Sequence, residues 1–508
     1  MDFGFGHRGA ARGRRVAAGR RARGTVLIVT MWILLVLAGL VLVLGRAARV
    51  EGDRSANGLA EAQASAVEEG ATQYVLARVD GLQGQTPPDA DTPCEAVQVG
   101  DGAFWILRPT SKDDRTYSYG ITDEAAKVNL NTATLDMLSK LPGMTPEFAA
   151  SIVDWRDADS NVTPGGAESE YYLLLPDPYE CKNSPLETVE ELFLIRGAAK
   201  DILYGGDTNR NGILDPGEET SFITSSTSSG TGTRLNRGLV DDVTVYSGPP
   251  AATATVTVVY TGAPDANATT GSQPQPVNVN TAQGSALTTL LQGSVAPARL
   301  PVVIGRIRRE RPFRNVFDFY YRAGLTFDEF QPIAPRVTTT SAAPPKGLIN
   351  VNTAPREVLL CLPKLDDSDV SSLLAHRPAT NASGLLGSGS TFTTTSTPAT
   401  AGTSGTSTTD ISWVIQALPR EKAIAIGGYV TGRSYQFSAD IVSVAPNGRA
   451  FKRCRVVIDA RSSPPKVIYR QNLTHLGWPL SPDIVTGLRS GMGLEPVIQT
   501  IGQGPGSS

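Results

Sequence analysis

Apolar and polar positions divide the chain into stretches of different period. From Thr25 to Gly45 the run TVLIVTMWILLVLAGLVLVLG carries no charge, and the nearest charges on either side are Arg23 and Arg46. At about 1.5 Å per residue, a helix of this length just spans a hydrocarbon core of roughly 30 Å. Beyond it Leu59, Ala62, Ala66, Gly70, Tyr74 and Ala77 recur at three- and four-residue spacing. This predicts a small-residue stripe on a helix continuing to about Arg78, weakened by Gly52, Gly58 and Gly70. From Gly102 the period changes, because AFWILRP and TYSYGIT are short, aromatic-rich and β-prone. Alternation returns at Ser434–Val444, Ala450–Ala460 and Lys466–Gln471, with a turn at Pro446-Asn447-Gly448. These late strands are expected to join those near 103–121, which makes everything between them an insertion into one sheet. No clear period follows Pro482.

Within the insertion one pattern occurs three times. Val128-Asn129-Leu130-Asn131-Thr132-Ala133 returns as Val277-Asn278-Val279-Asn280-Thr281-Ala282 and as Ile349-Asn350-Val351-Asn352-Thr353-Ala354. Asn and Thr suit the start of a helix, whose first N–H groups need an acceptor. Apolar helical positions follow (Leu135, Leu138 and Leu141; Val358, Leu359 and Leu362), then a Pro-containing turn and a second helix. The spacing from the first Asn to Arg156 and to Arg377 is identical in the first and third copies. Helix, tight turn and helix predict helix-hairpin-helix units, with the middle copy reaching its helix at 300–309. Ser/Thr/Gly-rich insertions near 221–236, 261–276 and 379–409 read as loop or disorder.

At 508 residues the chain can hold two to four cores. A net charge of −3, with seven arginines crowded before residue 24, argues against broad nucleic-acid binding. The hairpins nonetheless invite that reading, since such units capture phosphate with backbone N–H groups freed by glycines. Here Gly143 is followed by Met144-Thr145-Pro146-Glu147, and the second helix ends in acids, which argues against nucleic acid as a partner. Only the middle copy is basic, with Arg306, Arg308, Arg309, Arg311 and Arg314. Three histidines, and no Ser/His/Asp set or phosphate loop, argue against an enzyme. Cys94, Cys181, Cys361 and Cys454 form no CxxC pair; one or two disulfides are open to them in an oxidising compartment.

One stretch carries specific chemistry. Residues 207–218 satisfy D-x-[DN]-x-[DN]-G-x5-E completely. Asp207, Asn209 and Asn211 place side-chain oxygens at positions one, three and five. Ile213 offers a carbonyl, Asp215 acts directly or through water, and Glu218 is the bidentate ligand. Calcium needs six to eight hard oxygens, so a structural calcium site is expected, with Gly205-Gly206 excluding a standard helix before it. A second acidic group, Asp154, Asp157, Asp159 and Glu168, is less ordered in spacing and also reads as a solvated loop.

The cluster of arginines before the apolar run keeps the leader cytoplasmic by the positive-inside rule. Gly24-Thr25 sits ahead of that run, so cleavage there would leave the helix on the chain, as in type IV pilins and pseudopilins cut by a prepilin peptidase. An uncut anchor is the alternative. Pilins carry Glu at mature position five, whereas this chain has Val29, which resembles the K-type minor pseudopilin. ITDEAAKVNLNTA (121–133), DWRDAD (154–159), GAESEYY (166–172), Lys182-Asn183, SPLETVEELFLIRG (184–197) and INVNTAPREVLL (349–360) occur in order. They are similar to general secretion pathway protein K, the large minor pseudopilin of type II secretion, over most of 24–471.

That resemblance implies an α+β fold. A long transmembrane helix packs on a small antiparallel pilin-like sheet, with a large, mainly α inserted domain. The expected divisions are leader 1–24, membrane helix 25–45, stem and first strands 46–127, and first hairpin block with calcium loop 128–220. A linker with short strands (221–276), second block (277–340), third block (341–432), last pilin strands (433–471) and tail (472–508) follow. It also implies an inner-membrane anchor with a periplasmic bulk, I- and J-type partners at the pseudopilus tip, and calcium in the helical domain, which brings in the 154–168 acids. A membrane-anchored DNA-uptake protein is the rival. The processed chain is expected to begin at an N-methylated Thr25, and Gly24→Asp to block cutting by adding bulk and charge at the scissile bond. Peptide mapping of the membrane-assembled protein checks both; an intact leader would count against them.

Overall fold

The computed structural model describes residues 22–89, 92–109, 116–213, 215, 218, 222–227, 230–249, 276–340, 347–378 and 409–492. The leader through residue 21, and most of the 261–276 and 379–409 insertions, lie outside them. Two compact units divide the chain, 1–62 and 63–508. Helix Ala22–Val79 is the one element among the described residues long and apolar enough to cross a membrane, with a mean hydropathy of 3.0 over its most apolar 18 residues. Val26 to Leu44 expose their apolar side chains, as a lipid-facing segment requires.

The stem's buried face differs from the expected one. Leu59, Ala62, Ala66 and Ala77 are exposed, and the buried line runs Ala64, Val67, Ala71, Val75 and Val79. Alanine at 62, 66 and 77 offers little area to bury, whereas the valines present branched side chains on a face rotated by about one residue. They pack against Phe104, Ile106, Phe437, Ala439, Ile441, Val456 and Ile458, one face of the sheet.

That sheet runs in the order 97–99, 102–107, 436–444, 451–459, 466–472, with Thr122–Asp123 also on the 436–444 strand, and all its pairings are antiparallel. The late strands therefore do join the early one: Ile441 faces Ile106 and Val442 faces Trp105. The sheet's other face holds Ala103, Trp105, Leu107, Val442 and Val444 beneath Leu480, Ile484 and Leu488. The last two belong to helix Pro482–Arg489, which sequence reading missed. Its eight residues are too few to display a period, but Ser481 caps it and Pro482 opens it.

The three copies share one backbone design. Each first Asn accepts the N–H of the second through Oδ1, at 2.9, 2.9 and 3.0 Å for Asn129, Asn278 and Asn350. Each copy opens on a two-residue strand paired in parallel with a strand near its own end: 128–129 with 243–244, 277–278 with 337–338, and 349–350 with 430–431. Two helices follow each opening strand (Leu135–Ser139 and Pro146–Arg156; Gly284–Leu291 and Leu300–Glu310; Arg356–Leu360 and Asp367–His376). An arginine after or at the end of the second helix reaches back to the motif's Ala carbonyl: Arg156 to Ala133, Arg311 to Ala282, Arg377 to Ala354. Gly143 in the first turn has φ +71°, and Lys364 at the matching place adopts φ +61°. The first and third copies share one core, whereas the middle copy closes its own around Leu287, Leu290, Ile307, Phe319 and Phe330.

Two sequence expectations change. Residues 222–227 and 230–235 form an antiparallel hairpin, which departs from the loop read near 221–236 but agrees with the short strands expected of the 221–276 linker; Phe222, Ile223 and four threonines favour extended backbone. All four cysteines are buried thiols and none is bonded to another.

A buried polar knot joins sheet and third copy. Asp123 accepts from Ser434 Oγ (2.5 Å), Thr353 Oγ1 (2.6 Å), Asn350 Nδ2 (3.0 Å) and Ala125 N (2.8 Å). Asp123→Ala leaves these donors buried and unpaired, and is expected to cost about 3 kcal/mol. Comparison of its thermal melting with wild type in detergent checks this.

Candidate metal centres

Helix Lys200–Leu203 ends before Gly205, whose φ is +58° and whose neighbour Gly206 donates to Asn236 O, so no standard helix leads into the following loop. Gly212 (φ +77°) supplies the sharp turn. Asp207 is buried and accepts from Gly212 N at 2.8 Å and Asn211 N at 3.1 Å. Asn209 Oδ1 accepts the Asn211 N–H (3.0 Å), and Asn211 Oδ1 accepts the Ile213 N–H (2.8 Å). The amide groups of Asn209 and Asn211 both donate to Asp215 Oδ2, at 2.7 and 2.8 Å. Glu218 reaches back across the loop: Oε1 accepts from Thr208 N and Oγ1 (2.8 and 2.7 Å), and Oε2 from Asp215 N (3.1 Å). All six predicted positions thus fold into one turn. Burial pushes the Asp207 carboxyl up to about 7, with the charges of Asp241 and Glu218 adding to the shift.

The second acidic group lies where Pro146–Arg156 ends. Asp154 and Glu168 are buried. Asp154 Oδ1 accepts from Thr163 N (3.0 Å), but Asp154 Oδ2, Asp157 Oδ1, both Glu168 oxygens and Asn183 Oδ1 are buried with no hydrogen-bond partner. Asp159 turns its carboxylate to Asn161, and its carbonyl accepts from Asn183 Nδ2 (2.8 Å). Burial raises the Asp157 and Glu168 carboxyls, and each is raised further by neighbouring acids, Asp154 among them. Asn183, quoted above only for its resemblance, was not read as part of this group; its backbone adopts φ +47°.

Among the described residues, no three His, Cys, Asp or Glu side chains converge into a ready cage. The donor chemistry still fits a hard cation. Five buried oxygens without donors are a cost that hydrogen bonding does not relieve, and oxygen-only sets suit calcium rather than zinc. Asp154, Asp157, Glu168 and Asn183 would hold an ion at one place, and Asp207, Asn209, Asn211, Ile213, Asp215 and Glu218 at the other.

Two segments match family models described as type II secretion system protein K, residues 113–204 and 349–409. Both descriptions define one class, the proteins of the type II secretion system. Within it they are protein K, so the resemblance carried by the motifs is shown. The first match covers the second acidic group and the opening of the first copy, the second covers the opening of the third copy, and the middle copy lies between them. The crystal structure of the GspK-GspI-GspJ complex from enterotoxigenic Escherichia coli aligns over 84% of this chain and 99% of that one, at 12% identity and a TM-score of 0.31. No curated protein sequence matches the chain.

Because the folded pKa of Asp207 lies above its ordinary 3.8, the folded chain binds more protons than the unfolded chain between the two values. Without added metal, stability is expected to fall as pH rises from about 4 to 7, and Asp207→Asn to flatten that slope. Melting temperature against pH in chelator checks the sign.

Proposed function

We propose that the chain is a minor pseudopilin of the K type. The observation that carries this reading is the pair of protein K matches on either side of the middle copy. The apolar N-terminal helix supports an inner-membrane anchor with its bulk in the periplasm. The stem laid on an antiparallel sheet supports a pilin-like body, and the paired helices in each copy support helix-hairpin-helix units. In this reading the protein sits at the pseudopilus tip with I- and J-type subunits and helps start assembly for export of folded proteins across the outer membrane. Calcium at the two oxygen-rich places stabilises the inserted domain.

Val29 supports the tip position. A subunit inside the fibre needs a carboxylate to neutralise the N-terminal amine of the subunit ahead, and an unpaired charge in a membrane is costly. The protein is expected to copurify with neighbouring pseudopilins in small amounts. Finding it at regular intervals along fibres would exclude the tip.

The rival, nucleic-acid binding, rests on exposed Arg306, Arg308, Arg309 and Arg314 of the middle copy. Salt-dependent DNA binding by the purified protein would favour it.

Calcium bound only to the folded state adds about 2.7 kcal/mol at a hundredfold excess over Kd. Melting is expected to rise with calcium and fall with chelator, and Glu218→Ala to remove most of the loop's share. Identical curves with calcium and chelator would end the calcium reading.

A further inference from the structure

We propose that Arg453, on the 451–459 strand, is a positioning residue for cation binding by the 207–218 loop. The inference rests on the calcium reading of that loop.

Arg453 is the most deeply buried charged side chain of the sheet, with no exposed surface. Asp440 on the neighbouring 436–444 strand grips it through Nε (2.9 Å) and Nη2 (2.7 Å). Its remaining donors leave the sheet: Nη1 donates to Asn209 O and Nη2 to Arg210 O, at 2.7 Å for the latter. From elsewhere in the insertion Arg237 Nη2 donates to Gly212 O at 3.0 Å. Asn211 Nδ2 donates to Pro479 O (2.9 Å), in the segment leading to the last helix.

The choice of carbonyls matters. In a loop of this pattern the ion takes a backbone carbonyl at position seven, here Ile213. The two arginines hold the carbonyls of positions three, four and six instead. Those carbonyls are fixed away from the ion's place, which sets the peptide planes and with them the directions of the Asn209 and Asn211 side chains. Asp440, Arg453 and loop thus form a chain of support like the carboxylate behind a metal-bound histidine. Two further consequences follow from linkage. An ion in the loop strengthens its docking on the sheet, and the docked loop binds the ion more tightly by the same factor.

Arg453→Lys keeps the positive charge beside Asp440 but cannot span both carbonyls, so it separates geometry from charge. Calcium titration calorimetry on the full chain in detergent defines the loop site as the binding that Glu218→Gln removes. Arg453→Lys is expected to weaken that site about 10- to 100-fold and leave the other calcium binding unchanged. Arg237→Gln, which loosens the clamp without touching the buried pair, is expected to weaken it by a smaller factor and decides the matter if the lysine variant does not fold. Wild-type affinity at the loop in a folded Arg453→Lys protein, or in Arg237→Gln when that variant must decide, overturns the inference. A wild-type protein with no calcium binding sensitive to Glu218→Gln overturns instead the calcium reading beneath it.

Discussion

The 436–444 strand lies between partners from both ends of the folded body. One edge pairs with 102–107 and then with 122–123, and the other with 451–459, so everything from residue 124 to 435 must leave and re-enter the sheet at nearly one place. Closing so long a chain costs entropy that grows only slowly with length, but the ends must be held. Polar contacts hold them. Asp123 ties the exit to Asn350, Thr353 and Ser434, while Glu124 accepts from Lys127 (2.6 Å), Ser438 (2.6 Å) and Thr244. Each of these groups is satisfied in a dry place, where removing one partner strands the others.

The repeated motif follows the same economy on a smaller scale. Each second Asn spends its side chain on groups distant in sequence: Asn131 exchanges two bonds with the Leu186 backbone, Asn280 two with that of Phe313, and Asn352 donates to Asp410 O and accepts from the Trp413 indole at Nε1. The first Asn shapes the turn and the second pins what comes after it. In every copy the amide donates to a backbone carbonyl, which accepts it whatever side chain that residue carries, so the motif can recur where surrounding sequence does not. The middle copy has all of these bonds and its own core, so it adds a unit without disturbing the core shared by its neighbours.

Much of this was legible because it is local or repeated. The apolar run, the strand periods, the three motifs and the twelve-residue loop each follow from spacing alone. What escaped depends on partners far away in sequence. The stem's buried face is chosen by the sheet, and the nearby alanine stripe gave no sign that the valines would win. Arg453 sits in Phe451-Lys452-Arg453-Cys454-Arg455, where alternation suggests an outward charge, yet both faces of this strand are covered. Asn183 occurs in a family-like stretch but shows its orphaned oxygen only once it is folded beside Glu168.

The two oxygen-rich places differ in a way that follows from their surroundings. In the 207–218 loop every carboxylate has N–H donors of its own backbone or amide neighbours, so the loop keeps its form with protons and hydrogen bonds alone. Around Glu168 four carboxylate oxygens and one amide oxygen are buried without a hydrogen-bond partner, and neighbouring acids raise the Asp157 and Glu168 carboxyls further. Removing a cation from the first place therefore leaves a held loop with a raised Asp207, whereas removing one from the second leaves repulsion that only protonation or opening can relieve. In the calcium reading proposed above, the loop would respond to an ion through its arginine clamp, and the Glu168 place would depend on one.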